Sequence, residues 1–237
     1  MARLTVVEQH AFADTVAGRL AELIEQSIAA RGAAMVSLTG GHTPRYAYAA
    51  LADPSRPWRT QVDWSRVHLF WGDERHVPPD HPDSNYGMAD AALVQHVPIP
   101  PGQVHRIRAE LPDAKDAAAD YAGQLPERFD VMLLGLGDDC HIASIFPASG
   151  LLDDFPNEPR VAAVFVPHLN AWRITLTPRV ILDSRAIVME VSGESKAAAV
   201  AAAIDGPLDI ARYPGQLLRD AGDRVEWLLD HAAAARV

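Results

Sequence analysis

The chain has 237 residues, 49% apolar and 22% charged, enough apolar side chains for a large core and too many for a disordered polymer. Its formal net charge of −10, with no basic tail or stripe, excludes a general nucleic-acid or membrane-surface binder but leaves room for a local cationic cleft that takes a small anion. One cysteine, Cys140, permits no internal disulfide; with no signal-like apolar run in "MARLTVVEQHAFADTV" and no window near the roughly 18 apolar residues of a membrane helix, a soluble cytoplasmic protein is expected.

In chain order, Phe12, Val16, Leu20, Leu23, Ile24 and Ile28 recur at three- and four-residue steps. They predict an amphipathic helix over about 8–30, ended by Gly32. "AAMVSLT" (33–39) reads as a buried strand, followed by a short helix that begins near Pro44 and runs through "RYAYAAL". "RVHLFW" (66–71) is a second strand, and "SNYGMADAALVQ" (84–95) a helix with Ser84 as N-cap. The proline-rich stretch 78–101 reads as a loop-rich insertion and not as a domain boundary. An alanine-rich helix over 113–124 precedes a strand at "FDVMLLG" (129–135). Further strands fall at 161–167, 173–177 and 186–191, then a helix at 195–204 and a last strand at 224–229.

Strands and helices thus alternate, and several strands are continuous apolar runs, as when both sheet faces are covered. The class is α/β: a mostly parallel open sheet with helices on both faces, a Rossmann-like three-layer sandwich, in one domain over 1–237. In such sheets ligands bind beyond the carboxyl ends of the strands. Chemistry is therefore sought in the loops that follow strands, and three loops stand out.

"SLTGGHTP" (37–44) places Gly40 and Gly41 after a strand and Pro44 at a helix start, with Thr43 able to cap the helix and donate a hydroxyl. Free amides and the positive end of the helix dipole favour an anion there. An unliganded tight turn fits the residues equally well. "FWGDERHVPPDHPDSNYGM" (70–88) sets Asp73, Glu74, Arg75 and His76 just past a strand. Arginine offers a planar fork for phosphate oxygens, and a carboxylate can orient it or bind hydroxyls. His76, Asp80, His81 and Asp83 match no tight metal-ligand spacing, so no metal is expected. "GLGDDCHIASIFP" (135–147) has only part of the dinucleotide fingerprint, with Cys140 at the third glycine position. Asp139 and His141 lie two apart, so an extended segment would point both the same way. An acid beside a histidine fixes its tautomer and raises its basicity, the arrangement that activates water. Ser144 lacks the context of a nucleophile elbow, and Cys140 reads as a buried structural thiol.

Together these loops, with "RITLTPRVIL" and "VSGESKAAAV", resemble in order and spacing the 6-phosphogluconolactonase family. The resemblance spans nearly the whole chain. It implies hydrolysis of 6-phosphoglucono-δ-lactone to 6-phosphogluconate, without a required cofactor, on a fold shared with glucosamine-6-phosphate deaminases and ribose-5-phosphate isomerases. It implies that His141 activates water with Asp139 beside it, and that Arg75 and Lys196 clamp the phosphate, helped by Gly40, Gly41 and Thr43. Asp73 is then a sugar ligand or an orienter, and Arg173 lies near the site. The implied partner is a small phosphorylated sugar lactone, with no nucleic acid or membrane, for a monomer or small homo-oligomer. The backbone amides of the 135–141 turn are the expected oxyanion donors. Two residues depart from the family pattern: His42 stands where serine is usual, and Cys140 where glycine is usual. If that turn needs positive φ, Cys140 costs on the order of 1 kcal/mol. Two alternatives remain: a sugar-phosphate deaminase or isomerase, which typically carries Asp-Glu-Tyr where this chain has Asp73-Glu74-Arg75, and a non-catalytic sugar-phosphate sensor.

Overall fold

The structure is a computed structural model that describes residues 2–153 and 159–237. Among them the strands are β1 (Arg3–Val7), β2 (Ala34–Leu38), β3 (Val67–Trp71), β4 (Asp73–Arg75), β5 (Val131–Leu134), β6 (Val161–Val166), β7 (Ala171–Leu176), β8 (Ala186–Val191) and β9 (Val225–Asp230). The α-helices are α1 (Phe12–Arg31), α2 (His42–Ala52), α3 (Trp58–Gln61), α4 (Asn85–Ala92), α5 (Ala114–Ala122), α6 (Pro178–Asp183) and α7 (Ala197–Ile204).

Six strands form a fully parallel sheet in the order β1-β9-β8-β5-β2-β3. Every residue of β5 and of β9 is buried, which requires cover on both faces of the sheet. The apolar stripe of α1, from Phe12 through Val16 and Leu20 to Ile24, packs on that core, and the helix ends at Gly32, whose amide bonds the carbonyl of Ile28. Strand β1 was not expected. It is an edge strand that leaves Leu4 and Val6 exposed and is defined by pairing with β9, more than 200 positions along the chain. No local pattern announces such a partner.

A second, antiparallel sheet in the order β4-β7-β6 stands apart from the first. The Asp73–Arg75 stretch, read from sequence as loop, is its strand β4. Gly72 is the joint between the sheets: its amide donates to Leu38 at the end of β2 (2.8 Å), and its carbonyl accepts from Leu176 at the end of β7 (2.8 Å). Three residues are too few for a periodic signal, so only the pairing partner makes β4 a strand.

The order of the main sheet reverses between β5 and β2. Strand β3 lies outward of β2 on one side, while β8, β9 and β1 continue from β5 on the other. A crevice opens at that point, beyond the carboxyl ends. Two buried tyrosines hold its rim. Tyr48 accepts from the amide of Thr39 and donates to its carbonyl (2.9 and 2.8 Å), and Tyr121 does the same for Trp71 (2.7 and 2.9 Å). They satisfy backbone groups where the ladder stops, so the strand ends cannot fray into the crevice.

Candidate active site

The crevice is a cleft of about 620 Å³. Gly40, Gly41, Thr43, Asp73, Arg75, Asp139, His141, Arg173 and Lys196 all line it. A larger groove of about 1430 Å³ along α2 and α4 contains none of these residues.

At the end of β5 the chain turns tightly. The amide of Gly137 bonds the carbonyl of His141 (2.9 Å), and that of Cys140 bonds the carbonyl of Gly137 (2.9 Å). Within this turn Nδ1 of His141 lies 2.6 Å from Oδ1 of Asp139, which also accepts the His141 amide at 3.2 Å. The pair therefore comes from a turn and not from the extended segment expected. Its closeness depends on Gly137, where a β-carbon would fall 2.0 Å from Nδ1 of His141 and 2.6 Å from Oδ1 of Asp139. The hydrogen bond from His141 holds the Asp139 carboxyl below the usual carboxylate range, outweighing partial burial. With Nδ1 engaged, Nε2 is the nitrogen left for proton transfer. Phe146 supports the ring at a centroid distance of 4.3 Å.

Cys140 adopts φ 69°, the left-handed conformation that makes a side chain costly. Its thiol is buried, donates to the carbonyl of Ala199 (Sγ to O 3.6 Å), and burial pushes its pKa up to about 11. It is not a nucleophile in this state.

At the start of α2, Gly41 is the N-cap with φ 116°, and no side chain caps the helix. Thr43 does not fill that role, and Pro44 sits at the third helical position, not the first. The first-turn amides are left for an anion. His42 is exposed and turns along the helix, with Nε2 3.3 Å from the hydroxyl of Tyr46, so it does not fill the loop. A β-carbon at Gly40 would lie 1.8 Å from Oδ1 of Asn85, so only glycine lets that amide against the loop.

On the opposite wall, Arg75 on β4 and Arg173 on β7 are register partners, two guanidinium groups on adjacent strands. Arg75 donates to the carbonyl of Asp83 (2.5 Å). Burial, and then the neighbouring Arg75, push Arg173 below the usual arginine range. Among the described residues neither forms an ion pair, and like charges placed this way call for an anion. Nζ of Lys196 is held by Asp138 at 2.6 Å.

Asp73 is buried and committed: Oδ2 accepts from Ser144 (2.6 Å) and Oδ1 from Nδ2 of Asn85 (3.0 Å). That geometry suits an orienter better than a sugar ligand. Glu74 points away, accepting from the amides of Arg75, Asn85 and Tyr86 and from the Ser84 hydroxyl at 2.7–3.0 Å, and so caps α4. Ser84 also accepts from Gly87 at 3.0 Å as the expected N-cap. His76 bonds the carbonyl of Leu111, and His81 accepts the Asp83 amide.

Asn85, Asp138, His168 and Glu190 also line the cleft and were missed in sequence. Two left a trace: Asp138 as the first of the two acids in "GLGDDC", and Glu190 as an acid inside the apolar run "AIVMEV". The assembled site can hold an anion between α2, Lys196 and the arginine pair, and can move a proton at Nε2 of His141.

The family described as glucosamine-6-phosphate isomerases/6-phosphogluconolactonase matches residues 7–227. The chain is 39% identical over 236 residues to a 6-phosphogluconolactonase of Mycobacterium leprae, covering 92% of this chain and 91% of that one. It is 38% identical over 246 residues to a 6-phosphogluconolactonase of Streptomyces coelicolor, covering 97% and 92%. A solved structure of 6-phosphogluconolactonase from Trypanosoma brucei matches with a TM-score of 0.86 at 29% identity, over 100% of this chain and 99% of that one. Matched end to end on both sequence and architecture, with its cleft built from the loops that carried the resemblance, the chain belongs to the glucosamine-6-phosphate isomerase/6-phosphogluconolactonase family.

Proposed function

We propose that the chain hydrolyses 6-phospho-D-glucono-1,5-lactone to 6-phospho-D-gluconate, a step of the pentose phosphate pathway, with water activated by His141. The observation that carries this is the 2.6 Å contact between Asp139 and Nδ1 of His141 at the mouth of a cleft that also holds Arg75, Arg173 and Lys196. The phosphoryl group sits among α2's first turn, Lys196 and the arginine pair, which fixes the lactone and leaves C1 near His141.

Nε2 takes a proton from water as the water oxygen bonds to C1, and the carbonyl oxygen becomes an oxyanion. Collapse re-forms the carbonyl and breaks the bond from C1 to the ring oxygen. The imidazolium returns its proton to that oxygen, which becomes the C5 hydroxyl, and the new carboxylic acid ionises. Asp139 steadies the imidazolium that forms. The amides of Gly137, Cys140 and His141 are already used inside the turn, so an oxyanion donor from it is one of its other amides. No step calls for a cofactor. The buried single thiol fits a reducing compartment, and we place the protein in the cytoplasm.

Arg75 beside Arg173 favours this reading over the deaminase or isomerase, whose usual tyrosine there brings no second cation. The test is a pH-stat assay on fresh lactone with spontaneous opening subtracted. Turnover above background, with no ammonia released from glucosamine 6-phosphate, supports the lactonase; the reverse pattern overturns it.

A further inference from the structure

Glu190 has no use in the scheme above. It lies in β8 between Met189 and Val191, is 1% exposed, and neither carboxyl oxygen has a hydrogen-bond partner among the described residues. The other buried acids are all satisfied. Glu74 has four donors, Asp73 has Ser144 and Asn85, and Asp130 has Arg31 and Arg185. Among the described buried acids the unpaired state is thus particular to this position.

A carboxylate stripped of water and partners is too costly to persist, so the group takes up a proton. Burial accordingly pushes its pKa well above the ordinary carboxylate range. A neutral carboxyl has one O–H to give, and no described protein group receives it. Yet the side chain lines the cleft, on the wall shared with Ser192 and Lys196.

The charged and titratable groups around it leave the O–H free. From α2, which packs on β8, Tyr48 interacts electrostatically with Glu190, but its hydroxyl is spent on Thr39. His42 turns to Tyr46. From the β5 turn, Asp139 is bound to His141, and Asp138 to Lys196. On β9, Leu228 is the register partner of Glu190, and Asp230 is held by Ser192 and the amide of Gly193.

We propose that Glu190 is a substrate-binding residue that donates its carboxyl O–H to an oxygen of the substrate's phosphoryl group, at the end of the cleft formed by the first turn of α2 and Lys196. This rests on the reading in which that end takes the phosphate. Neutral Glu190 lets a protein of net charge −10 hold an anion beside an acid without repulsion. Proton and anion then bind together: phosphate favours the protonated acid, and ionisation of Glu190 expels phosphate.

The test measures binding of inorganic phosphate and of 6-phosphogluconate to the full chain by calorimetry between pH 7 and 9.5, with lactone turnover followed in parallel. Glu190→Gln keeps a neutral donor and Glu190→Leu removes it. At pH 7 the Gln variant binds both probes within about two-fold of wild type, and the Leu variant roughly ten-fold more weakly, the worth of one hydrogen bond. Where pH rises far enough to ionise Glu190, wild type loses affinity that the Gln variant retains. Where Glu190 ionises in the free protein, binding in buffers of different ionisation enthalpy shows proton uptake by wild type beyond that of the Gln variant. Phosphate binding by Glu190→Leu equal to wild type at every pH, or binding by Glu190→Gln as weak as by Glu190→Leu, overturns the proposal. Lactone turnover by wild type reports the parent reading separately: turnover retained beside either negative result removes only the role of Glu190.

Discussion

The β5 turn and the β4–β7 wall face the same cleft but treat their charges in opposite ways. In the turn, Asp139 bonds both the ring and the amide of His141, and Gly137 is bare so that the pair can close on the backbone. Across the cleft, Arg75 and Arg173 are register partners on adjacent strands, and among the described residues neither forms an ion pair. The first region is finished before a ligand arrives, because chemistry needs its base in one orientation. The second holds two neighbouring cations that a bound anion would stabilise beyond the attraction Asp73, Glu74 and Asp83 already exert on Arg173.

The contrast can be broken from either side. On this account Asp139→Asn attacks the turn alone, and kcat falls by about ten- to a hundred-fold while KM holds, as steady-state lactone kinetics would show. Arg75→Ala and Arg173→Ala attack the wall: each raises KM roughly ten-fold, since a charge-assisted hydrogen bond is worth about 1.5–3 kcal/mol, and leaves kcat within about two-fold.

A pH series sharpens the same comparison. The bond from His141 lowers the folded pKa of Asp139, so its stabilisation is complete above the ordinary aspartate value of about 4 and is lost as pH falls through the lower folded value. Denaturation midpoints of wild type and Asp139→Asn therefore differ near neutrality and converge as pH falls through that lower folded value. The smallest effect belongs to Cys140→Gly. Relief of the left-handed backbone gains about 1 kcal/mol, and the lost thiol packing with the looser unfolded chain takes back a similar amount. A change within about 1 kcal/mol is expected in urea unfolding; a loss above about 3 kcal/mol would show that the thiol holds the turn.

What the sequence discloses follows the range of the forces involved. The core strands β2, β3, β5 and β8 are legible because apolar runs between glycine-rich turns are local signals. The Ser84 cap is legible because it spans only three residues. Strand β1 and strand β4 are not, since distant partners define them. Seven of the nine candidate site residues were legible as loop chemistry and Arg173 and Lys196 only through the family resemblance, but the division of labour was not. That Thr43 leaves α2 uncapped, and that Asp73 is spent on Ser144 and Asn85, depends on contacts between separate loops. Glu190 was hidden because a single acid in an apolar strand looks like noise until its oxygens prove to lack partners.

The most direct test of the account is lactone turnover by His141→Ala, corrected for spontaneous opening, with 6-phosphogluconate binding measured on the same sample. The account predicts that kcat falls by about 10²–10⁴-fold while binding changes by less than about three-fold. Near-wild-type kcat with binding intact would contradict it, because water would then be activated without the imidazole that Asp139 holds.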